Sequence, residues 1–310
     1  MRIFQRAGAV ALAAGTVMLG GAVAAQAAPA AADVTFTVNR LILQPAESGH
    51  TGRVRIVIRN TGSEPYSGGF SITEPIAETL GDIEGGAGCG INRTPDNRQI
   101  ALCPLDGEIA PGGSAVITAN FQSPAKPQPY AQIAPQAGTV EVEGVTAEFP
   151  ALFRSTTGSL RSPQPYVQDT TGALAVTAAD VTLTRQADGT FVGRVPVTVR
   201  NDSDVAHRGL WTEVVVPAGL EGWPVIEPSD VCVPTDRLPV PPGGTSVGCT
   251  VYGGQLAEGE ERSFEWILTA PAETPAGPLG TGTTLVEYAG SDGQQSDSAN
   301  VDTFAITVAG

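Results

Sequence analysis

Four cysteines and two histidines are the side chains in this 310-residue sequence with the most reactive chemistry. Cys89 and Cys103 enclose one polar stretch rich in turn residues, and Cys232 and Cys249 enclose another. Four cysteines allow three disulfide pairings. Neither stretch has the close Cys-x-x-Cys spacing or the neighbouring histidines of zinc and redox sites, so such sites are the weaker alternatives to structural disulfides.

His50 and His207 are the candidate general bases, because histidine most often moves protons near neutral pH. Both lie in polar stretches that are typical of exposed turns. A Ser-His-Asp arrangement stays open, since its members need not be close in sequence. The sequence has no Gly-x-Ser-x-Gly elbow, His-Glu-x-x-His motif or phosphate-binding loop. We therefore predict no catalytic residue and no cofactor.

Aspartates in two polar stretches could supply oxygen ligands to calcium: Asp202 with Asp204, and Asp292 with Asp297. Neither stretch matches an EF-hand loop. Aspartate is also common in turns, where its side chain bonds to the backbone. The sequence therefore predicts no metal site, with loop-bound calcium as the alternative.

Tryptophan offers the best sign of a ligand-binding face. Trp211 shares a strand face with Glu213, opposite Leu210 and Val214, so it points outward if those two residues point into a core. Trp223 lies in a loop sequence. Exposed tryptophan can stack on sugars or anchor a protein partner. We predict ligand binding at Trp211 and Trp223, with packing under a neighbouring loop as the alternative.

The N-terminal segment is typical of a secretory signal. Arg2 and Arg6 precede an Ala/Gly-rich apolar run, and residues 25–27 fit the small-x-small cleavage pattern. We expect a mature chain that starts at Ala28 and is secreted without membrane insertion, with an uncleaved anchor as the alternative. Disulfides persist in the oxidising conditions outside the cytoplasm.

The chain is acidic, with 17 Lys+Arg against 32 Asp+Glu and a net charge of −15. Removal of the two arginines in the signal makes the mature chain −17. Nucleic acids and anionic membranes would repel such a chain, so we expect neither as a partner. Net charge does not choose among the remaining partners.

Apolar and polar residues alternate with a period of two along most of the chain. Residues 53–59 and 194–200 both show this pattern, and each is followed by Asn and a polar turn. Frequent Gly and Pro exclude long amphipathic helices, so the pattern predicts an all-β chain of antiparallel β-sandwiches. Pro196 on an outward face predicts an edge strand.

Two halves of the sequence share this layout, with strands 141 positions apart and each cysteine repeated 143 or 146 positions later. One unit is therefore used twice. Each unit carries its own bridge if Cys89 pairs with Cys103 and Cys232 with Cys249, which favours these two disulfides. We predict a signal peptide over 1–27, a β-sandwich domain over 28–154, a linker over 155–172 and a second β-sandwich domain over 173–310. The Pro-rich residues 123–135 are predicted as a loop, with a linker as the alternative.

The run Val-x-Val-x-Arg-Asn, two cysteines and a Leu-Ala-x-Gly turn before a strand resemble a known family. It is the Cys-containing immunoglobulin-like repeat of bacterial cell-surface and secreted proteins, a domain of unknown function. Residues 216–220, Val-Pro-Ala-Gly-Leu, are also similar to this family, whereas the first half has Glu74-Pro75-Ile76-Ala77 instead. The resemblance implies two tandem immunoglobulin-like sandwiches outside the cell and implies no activity.

Three functions are compatible with these patterns. The first is a secreted, non-enzymatic binding or structural protein whose ligand is unknown. The second is a module that binds carbohydrate or the cell envelope through exposed tryptophan, with an envelope polysaccharide or surface protein as its partner. The third, with generic support only, is a secreted enzyme or protease inhibitor. We predict the first.

Overall fold

The computed structural model describes residues 33–290 and 300–310. The predicted signal peptide over 1–27 and the calcium candidates Asp292 and Asp297 lie outside the described residues. The described residues form strands and connecting loops with no α-helix, which confirms the all-β prediction.

Residues 33–166 are called the N-terminal half here, and residues 167–310 the C-terminal half. In the described part of the chain, the strands of the N-terminal half are β1 (Val34–Val38), β2 (Leu41–Pro45), β3 (His50–Asn60), β4 (Gly69–Thr73), β5 (Leu80–Glu84), β6 (Gly90–Arg93), β7 (Gln99–Pro104), β8 (Ser114–Ser123), β9 (Gln132–Ile133), β10 (Gly138–Val142), β11 (Val145–Phe149), β12 (Ala151–Phe153) and β13 (Gln164–Pro165). Those of the C-terminal half are β14 (Leu174–Ala178), β15 (Val181–Arg185), β16 (Phe191–Asn201), β17 (Gly209–Val216), β18 (Val225–Glu227), β19 (Ser229–Pro234), β20 (Thr245–Val251), β21 (Glu261–Ala270), β22 (Gly277–Ala289) and β23 (Val301–Val308).

Two sheets enclose the core of the N-terminal half. One has the order β13-β9-β12-β2-β3-β8-β5, with β1 also paired to β3, and the other has the order β11-β10-β4-β7-β6. In the long antiparallel pair β3–β8, Ile56 lies opposite Ile117. Both side chains are fully buried, in one cluster with Ile72 of the second sheet. The alternating residues of β3 thus direct one face into the core, as predicted.

One continuous sheet surrounds the core of the C-terminal half, in the order β18-β21-β16-β15-β23-β22-β17-β20-β19, with β14 also paired to β16. Strand β15 connects the two sides of this nearly closed sheet. Its last residues pair with β16, and Val181–Leu183 pair in parallel with β23. Trp266 in β21 is fully buried in this core.

In each half, a buried asparagine at the end of a long strand, β3 or β16, holds the turn that follows. Asn60 at the end of β3 donates from Nδ2 to the carbonyl oxygens of Glu64 at 2.7 Å and Ile109 at 2.8 Å. Asn201 at the end of β16 donates to the carbonyl oxygen of Leu256 at 2.6 Å. Because buried carbonyl groups need partners, these amides fix turns that would otherwise leave backbone acceptors unpaired.

The prediction of an edge strand at Pro196 is wrong. Strand β16 is paired with β21 on one side and with β14 and β15 on the other. Beside Pro196 the chain leaves β14 and crosses toward β23, and Ala179 donates its N–H to the Pro196 carbonyl. The nitrogen of Pro196 faces this crossing, so its missing N–H removes no ladder hydrogen bond.

The predicted linker over 155–172 packs on the N-terminal half. Strand β13 within it pairs in parallel with β9. Tyr166 is 3% exposed and belongs to the core of the N-terminal half, with its ring centroid 4.5 Å from that of Phe153. The Pro-rich residues 123–135 also pack on this half, where Ala125 and Ala131 are buried. The Tyr166 ring and the pairing of β13 with β9 therefore hold a segment whose composition otherwise resembles a linker.

Both predicted disulfides, Cys89–Cys103 and Cys232–Cys249, are confirmed. Cys232 and Cys249 lie opposite each other in the pair β19–β20, and Cys103 in β7 is buried in the other core. Disulfides of this kind indicate an oxidising environment outside the cytoplasm. None of the described residues forms a helix long and apolar enough to cross a membrane.

Removal of a bridge should lower stability through the unfolded chain. Cys89 and Cys103 are 14 positions apart, and in the chain-entropy account a loop of this size stabilises the fold by about 3 kcal/mol. We expect Cys89→Ser/Cys103→Ser to lose about this free energy of unfolding in urea titrations followed by circular dichroism. Unchanged urea midpoints under oxidising conditions would contradict a stabilising role.

Candidate functional site

Both histidines are fully buried, so the prediction of exposed turns is wrong. In His50, at the start of β3, Nδ1 lies 2.9 Å from the carbonyl oxygen of Ala125. In His207, just before β17, Nδ1 lies 2.7 Å from the carbonyl oxygen of Val205, and Nε2 accepts the N–H of Leu256 at 3.1 Å. The polar neighbours of these residues in sequence concealed their burial, because the loops fold back over the rings.

Burial lowers the pKa of both histidines, since a charged imidazolium loses its hydration in the interior. The hydrogen bonds to the carbonyl groups of Ala125 and Val205 raise the pKa, but less. The bond from Leu256 requires a neutral His207 with its proton on Nδ1. The rings therefore act as fixed links between backbone segments.

A buried carboxylate, Glu78, joins the two halves. Its side chain has no solvent exposure and is contacted by Arg93 of its own half at 2.5 Å and by Nε of Arg208 of the other half at 2.7 Å. Gln99 donates to the same carboxylate at 2.5 Å. A buried carboxylate costs several kcal/mol in lost hydration unless charged partners surround it. Glu78 therefore needs the C-terminal half beside it.

Backbone groups extend this contact between the halves. Nη2 of Arg208 donates to the carbonyl oxygen of Leu80 at 3.2 Å and also contacts Gln99. Nε2 of Gln255 donates to the carbonyl oxygens of Glu78 at 2.7 Å and His207 at 2.6 Å. A cavity of about 150 Å³ lies beside these groups. It has room for a few water molecules but is smaller than ordinary small-molecule sites of roughly 300 Å³ or more.

A second polar contact joins the halves at Asp204. The hydroxyl of Tyr166 donates to Oδ2 at 2.6 Å, and the N–H of Asp169 donates to Oδ1 at 2.8 Å. Burial raises the pKa of Asp204, and the hydrogen bond from Tyr166 lowers it. Burial also raises the pKa of the Tyr166 hydroxyl. The contacts of Glu78 and Asp204 between the two halves are together called the junction below.

The calcium candidates Asp202 and Asp204 have protein partners. Asp202 pairs with Arg200 at 2.7 Å, whereas Asp204 belongs to the junction. Within residues 33–290 and 300–310, no group of three or more His, Cys, Asp or Glu is arranged to hold a metal ion.

Two further buried carboxylates organise segments next to the disulfide loops, and the sequence analysis missed both. Glu74 accepts four backbone N–H groups at 2.6–2.9 Å, from Glu78, Thr79, Leu80 and Gln99. Burial raises the pKa of Glu74, and these four donors lower it. Glu213 accepts the hydroxyl of Ser246 at 2.8 Å and the N–H of Leu238 at 3.0 Å. Glu213 could have been identified from the sequence, because it is an acidic residue inside the apolar run of β17.

The two tryptophans predicted to bind ligand lie on different strand pairs. Trp211 is half-buried on the outer face of β17, with its ring over Gly248, where an added Cβ would lie 2.4 Å from the ring. Trp223 is 58% exposed in the loop before β18, which pairs with β21. Close packing on Gly248 leaves Trp211 less surface for a ligand than Trp223 has.

An exposed tyrosine near Trp211 was not predicted. Tyr252 is 61% exposed and lines a groove of about 600 Å³ with Arg208, Gly209 and Ala289. Gly209 and Ala289 lie opposite each other in the pair β17–β22, so small residues form part of the lining. A tyrosine ring beside small residues can stack on a sugar or on an extended peptide.

No protein-family model and no curated protein matches the chain. The family resemblance therefore stays a prediction.

Solved structures similar to this chain include a protein of unknown function from Porphyromonas gingivalis W83, 11% identical, with 89% of this chain and 99% of that chain covered and a TM-score of 0.20. The adhesin InvE of Yersinia pseudotuberculosis is 11% identical, with 89% and 58% covered and a TM-score of 0.21. A beta-glucosidase from Listeria innocua is 17% identical, with 49% and 18% covered and a TM-score of 0.23. The chain thus spans about a fifth of that glucosidase, and TM-scores this low decide nothing about fold or activity.

Stability should fall as the pH drops below about 6.5. There the histidines of the unfolded chain bind protons, whereas the folded chain, with its lowered histidine pKa values, does not. Each histidine contributes a slope of up to about 1.4 kcal/mol per pH unit. Glu74 and Asp204 have raised pKa values and oppose this loss at lower pH.

Urea titrations at pH 7.5, 6.5 and 5.5 measure this slope. His50→Gln/His207→Gln removes both titrating groups and should flatten it, whatever its effect on stability at pH 7.5. A variant with the parent's slope would show that other groups control the pH dependence.

Arg208→Ala should weaken the junction. It leaves the buried Glu78 with partners from its own half only, and because the Arg208 side chain is 47% exposed we expect a loss of roughly 1–3 kcal/mol. Hydrogen exchange should rise in the segments around Glu78 and Gln255. Arg194→Ala is the matched control, since Arg194 pairs with carboxylates on an exposed surface and should cost less than about 1 kcal/mol. Equal losses for both variants would count against a junction role.

Proposed function

We propose that this chain is a secreted, non-enzymatic extracellular protein that acts as a binding or structural module. In this proposal its two halves are tandem immunoglobulin-like sandwiches. The observation that carries the proposal is that the buried acid–base groups are engaged in contacts that hold the fold together. His50, His207, Glu78 and Asp204 each hold a backbone segment or the junction by short hydrogen bonds or ion pairs.

A module that presents surfaces at fixed positions needs such a junction. A flexible connection would let each half move separately. A partner that bound both halves would then have to order them, and the entropy lost in that step would weaken binding. The junction meets this cost during folding, because Glu78 and Asp204 are satisfied by partners from both halves. This favours a rigid presenting body over a flexible tether.

The immunoglobulin-like architecture is supported by a common layout. Each half has a long antiparallel pair, β3–β8 or β16–β21, its own disulfide and its own apolar core. The predicted family resemblance agrees with this layout.

A carbohydrate- or envelope-binding role is the second candidate, and exposed aromatic rings favour it. Trp223 is 58% exposed and Tyr252 is 61% exposed, the latter at the groove of about 600 Å³. Aromatic rings in such positions stack on sugar rings with little entropy loss.

The test is co-sedimentation of the mature chain, from Ala28, with cell envelopes of the producing bacterium. If the aromatic rings bind, Trp223→Ala or Tyr252→Ala should weaken pelleting at least about fivefold, since an anchoring aromatic contributes about 1 kcal/mol or more. Tyr130→Ala is the matched control, because Tyr130 is exposed on the other half. It should leave pelleting unchanged.

The outcomes separate the candidates. Pelleting that depends on the aromatic rings supports the second candidate, and pelleting that does not supports binding through another surface. A chain that stays in solution supports a soluble partner or a structural role. Turnover of a substrate that is lost in His207→Gln would overturn the non-enzymatic proposal.

A further inference from the structure

The arginines of the described residues differ in whether they pair with carboxylates. One group lies within 4 Å of carboxylates and comprises Arg93, Arg98, Arg194, Arg200, Arg208, Arg237 and Arg262. Seven others form no ion pair with any described residue. Three of them, Arg154, Arg161 and Arg185, lie outside the segment from β1 to β3, and the other four, Arg40, Arg53, Arg55 and Arg59, are exposed. These four lie on or beside the outer face of β3 and are called the basic face below.

The register of β3 builds the basic face. Arg53, Arg55 and Arg59 alternate with core residues, so they project from the same side of the sheet. Positions two apart on a strand are separated by about 7 Å. Opposite them, β8 places Asn120, Thr118 and Ser114, which carry no charge.

A groove of about 520 Å³ lies at one end of the basic face. It lies where the chain passes from β1 through residues 39–40 into β2, and Oδ1 of Asn39 accepts the N–H of Arg55 at 2.5 Å. Gly52 also lines it, at a point where a Cβ would lie 2.5 Å from the carbonyl oxygen of Ile42. The polar side chains that line the groove are Asn39, Arg40, Gln44, Thr51, Arg53 and Asn120.

The C-terminal half shows that this fold does not require unpaired arginines. Arg194 and Arg200 occupy the positions 141 residues after Arg53 and Arg59. Arg194 contacts Glu227 at 2.7 Å and Glu265 at 2.9 Å, and Arg200 contacts Asp202 at 2.7 Å.

The strand opposite also differs between the halves. In β21, Glu265 lies opposite Pro196 and Glu261 lies opposite Arg200. The corresponding residues of β8 are the neutral Thr118 and Ser114. Carboxylates thus pair with the arginines of one copy of this surface, whereas no described carboxylate pairs with those of the other copy.

The charge of the whole chain follows the same division. The N-terminal half has nine Lys+Arg against thirteen Asp+Glu, and the C-terminal half has six against nineteen. Asp82 and Glu84 of β5 lie beside β8, next to the basic face, and do not pair with its arginines. At 0.1 M salt, charges more than about 10 Å away are largely screened. The basic face therefore attracts anions locally although the chain is acidic.

We propose that the basic face binds an anionic polysaccharide, through carboxylate or phosphate groups on successive sugar units. This inference rests on the proposed extracellular binding function. Arginine forms paired hydrogen bonds with both kinds of anion. The amide and hydroxyl groups of Asn39, Gln44 and Thr51 suit sugar hydroxyls. Arg53 and Arg55 lie about 7 Å apart along β3, and Arg55 and Arg59 about 14 Å apart. These multiples of one interval suit a polymer with regularly spaced charges.

A nucleic acid fits this face less well. Among the described residues that line the groove, none has an aromatic ring on which a base could stack. A polymer with dense charge would also extend toward the acidic remainder of the chain.

The test measures binding of the mature chain to four polymers by isothermal titration at 50 mM and 200 mM salt. The probes are polygalacturonate for carboxylates, polyglycerol phosphate for phosphates, neutral dextran, and single-stranded DNA. We expect binding to polygalacturonate, polyglycerol phosphate or both, at least tenfold weaker at the higher salt, and the stronger of the two identifies the anion.

Matched variants locate the binding surface. Arg53→Gln/Arg55→Gln should weaken binding at least tenfold, and Arg53→Lys/Arg55→Lys should restore part of it. Arg194→Gln/Arg200→Gln, at the surface of the other half, should change it less than twofold. Circular dichroism checks that each chain is folded, and Arg40→Gln/Arg59→Gln serves as a second probe if the first variant unfolds.

Several results would overturn the proposal. These are no binding to either anionic polymer, equal binding to dextran, tighter binding to DNA, or anion binding that survives loss of the arginines. Envelope pelleting that survives Arg53→Gln/Arg55→Gln would leave the proposed extracellular function standing and remove this inference alone. Anion binding that depends on the arginines, without envelope pelleting, would support this inference with a soluble polysaccharide as the partner.

Discussion

The burial of one carboxylate constrains how the chain can be arranged. Glu78 has no solvent exposure, and its charged partners come from both halves, Arg93 from one and Arg208 from the other. A buried carboxylate without such partners costs several kcal/mol, which is a large part of the stability of an ordinary domain. Arrangements that separate Arg208 from Glu78 are therefore disfavoured. Gln255, His207 and the backbone around them are ordered by the same contact.

The two halves use one backbone plan with different side-chain charges. Asn60 and Asn201 hold corresponding turns, and the pairs β3–β8 and β16–β21 place apolar residues in the core at matching positions. Outward positions are free of this constraint, because an exposed side chain contributes little to packing. The arginines of β3 are therefore unpaired, whereas Arg194 and Arg200 of β16 pair with carboxylates. The core residues preserve the fold in both halves, and the charges of the outer faces differ between them.

Much of the fold could be predicted from the sequence, and much of the side-chain detail could not. Alternation in residues 53–59 and 194–200 predicted strands because a period of two is a local property. The duplicated spacing predicted the disulfide partners, because this pairing gives each unit its own bridge. The burial of His50 and His207 depends on loops distant in sequence, so polar neighbours were misleading. Glu78 and Arg208 are 130 positions apart, and no local pattern connects them. Pro196 was misassigned because the crossing of the chain beside it is a feature of topology.

The uneven charge of the two halves has a consequence for how the molecule approaches other surfaces. The C-terminal half carries nineteen acidic groups and the N-terminal half thirteen, with four unpaired arginines on one face of the latter. Because the junction fixes the halves to each other, this separation of charge is a permanent dipole moment of the whole body. Within about 10 Å of a polyanionic layer at 0.1 M salt, the field of the layer would exert a torque on such a dipole and turn the N-terminal half toward the layer. The molecule would then arrive in one orientation, and its C-terminal half would face away from the layer.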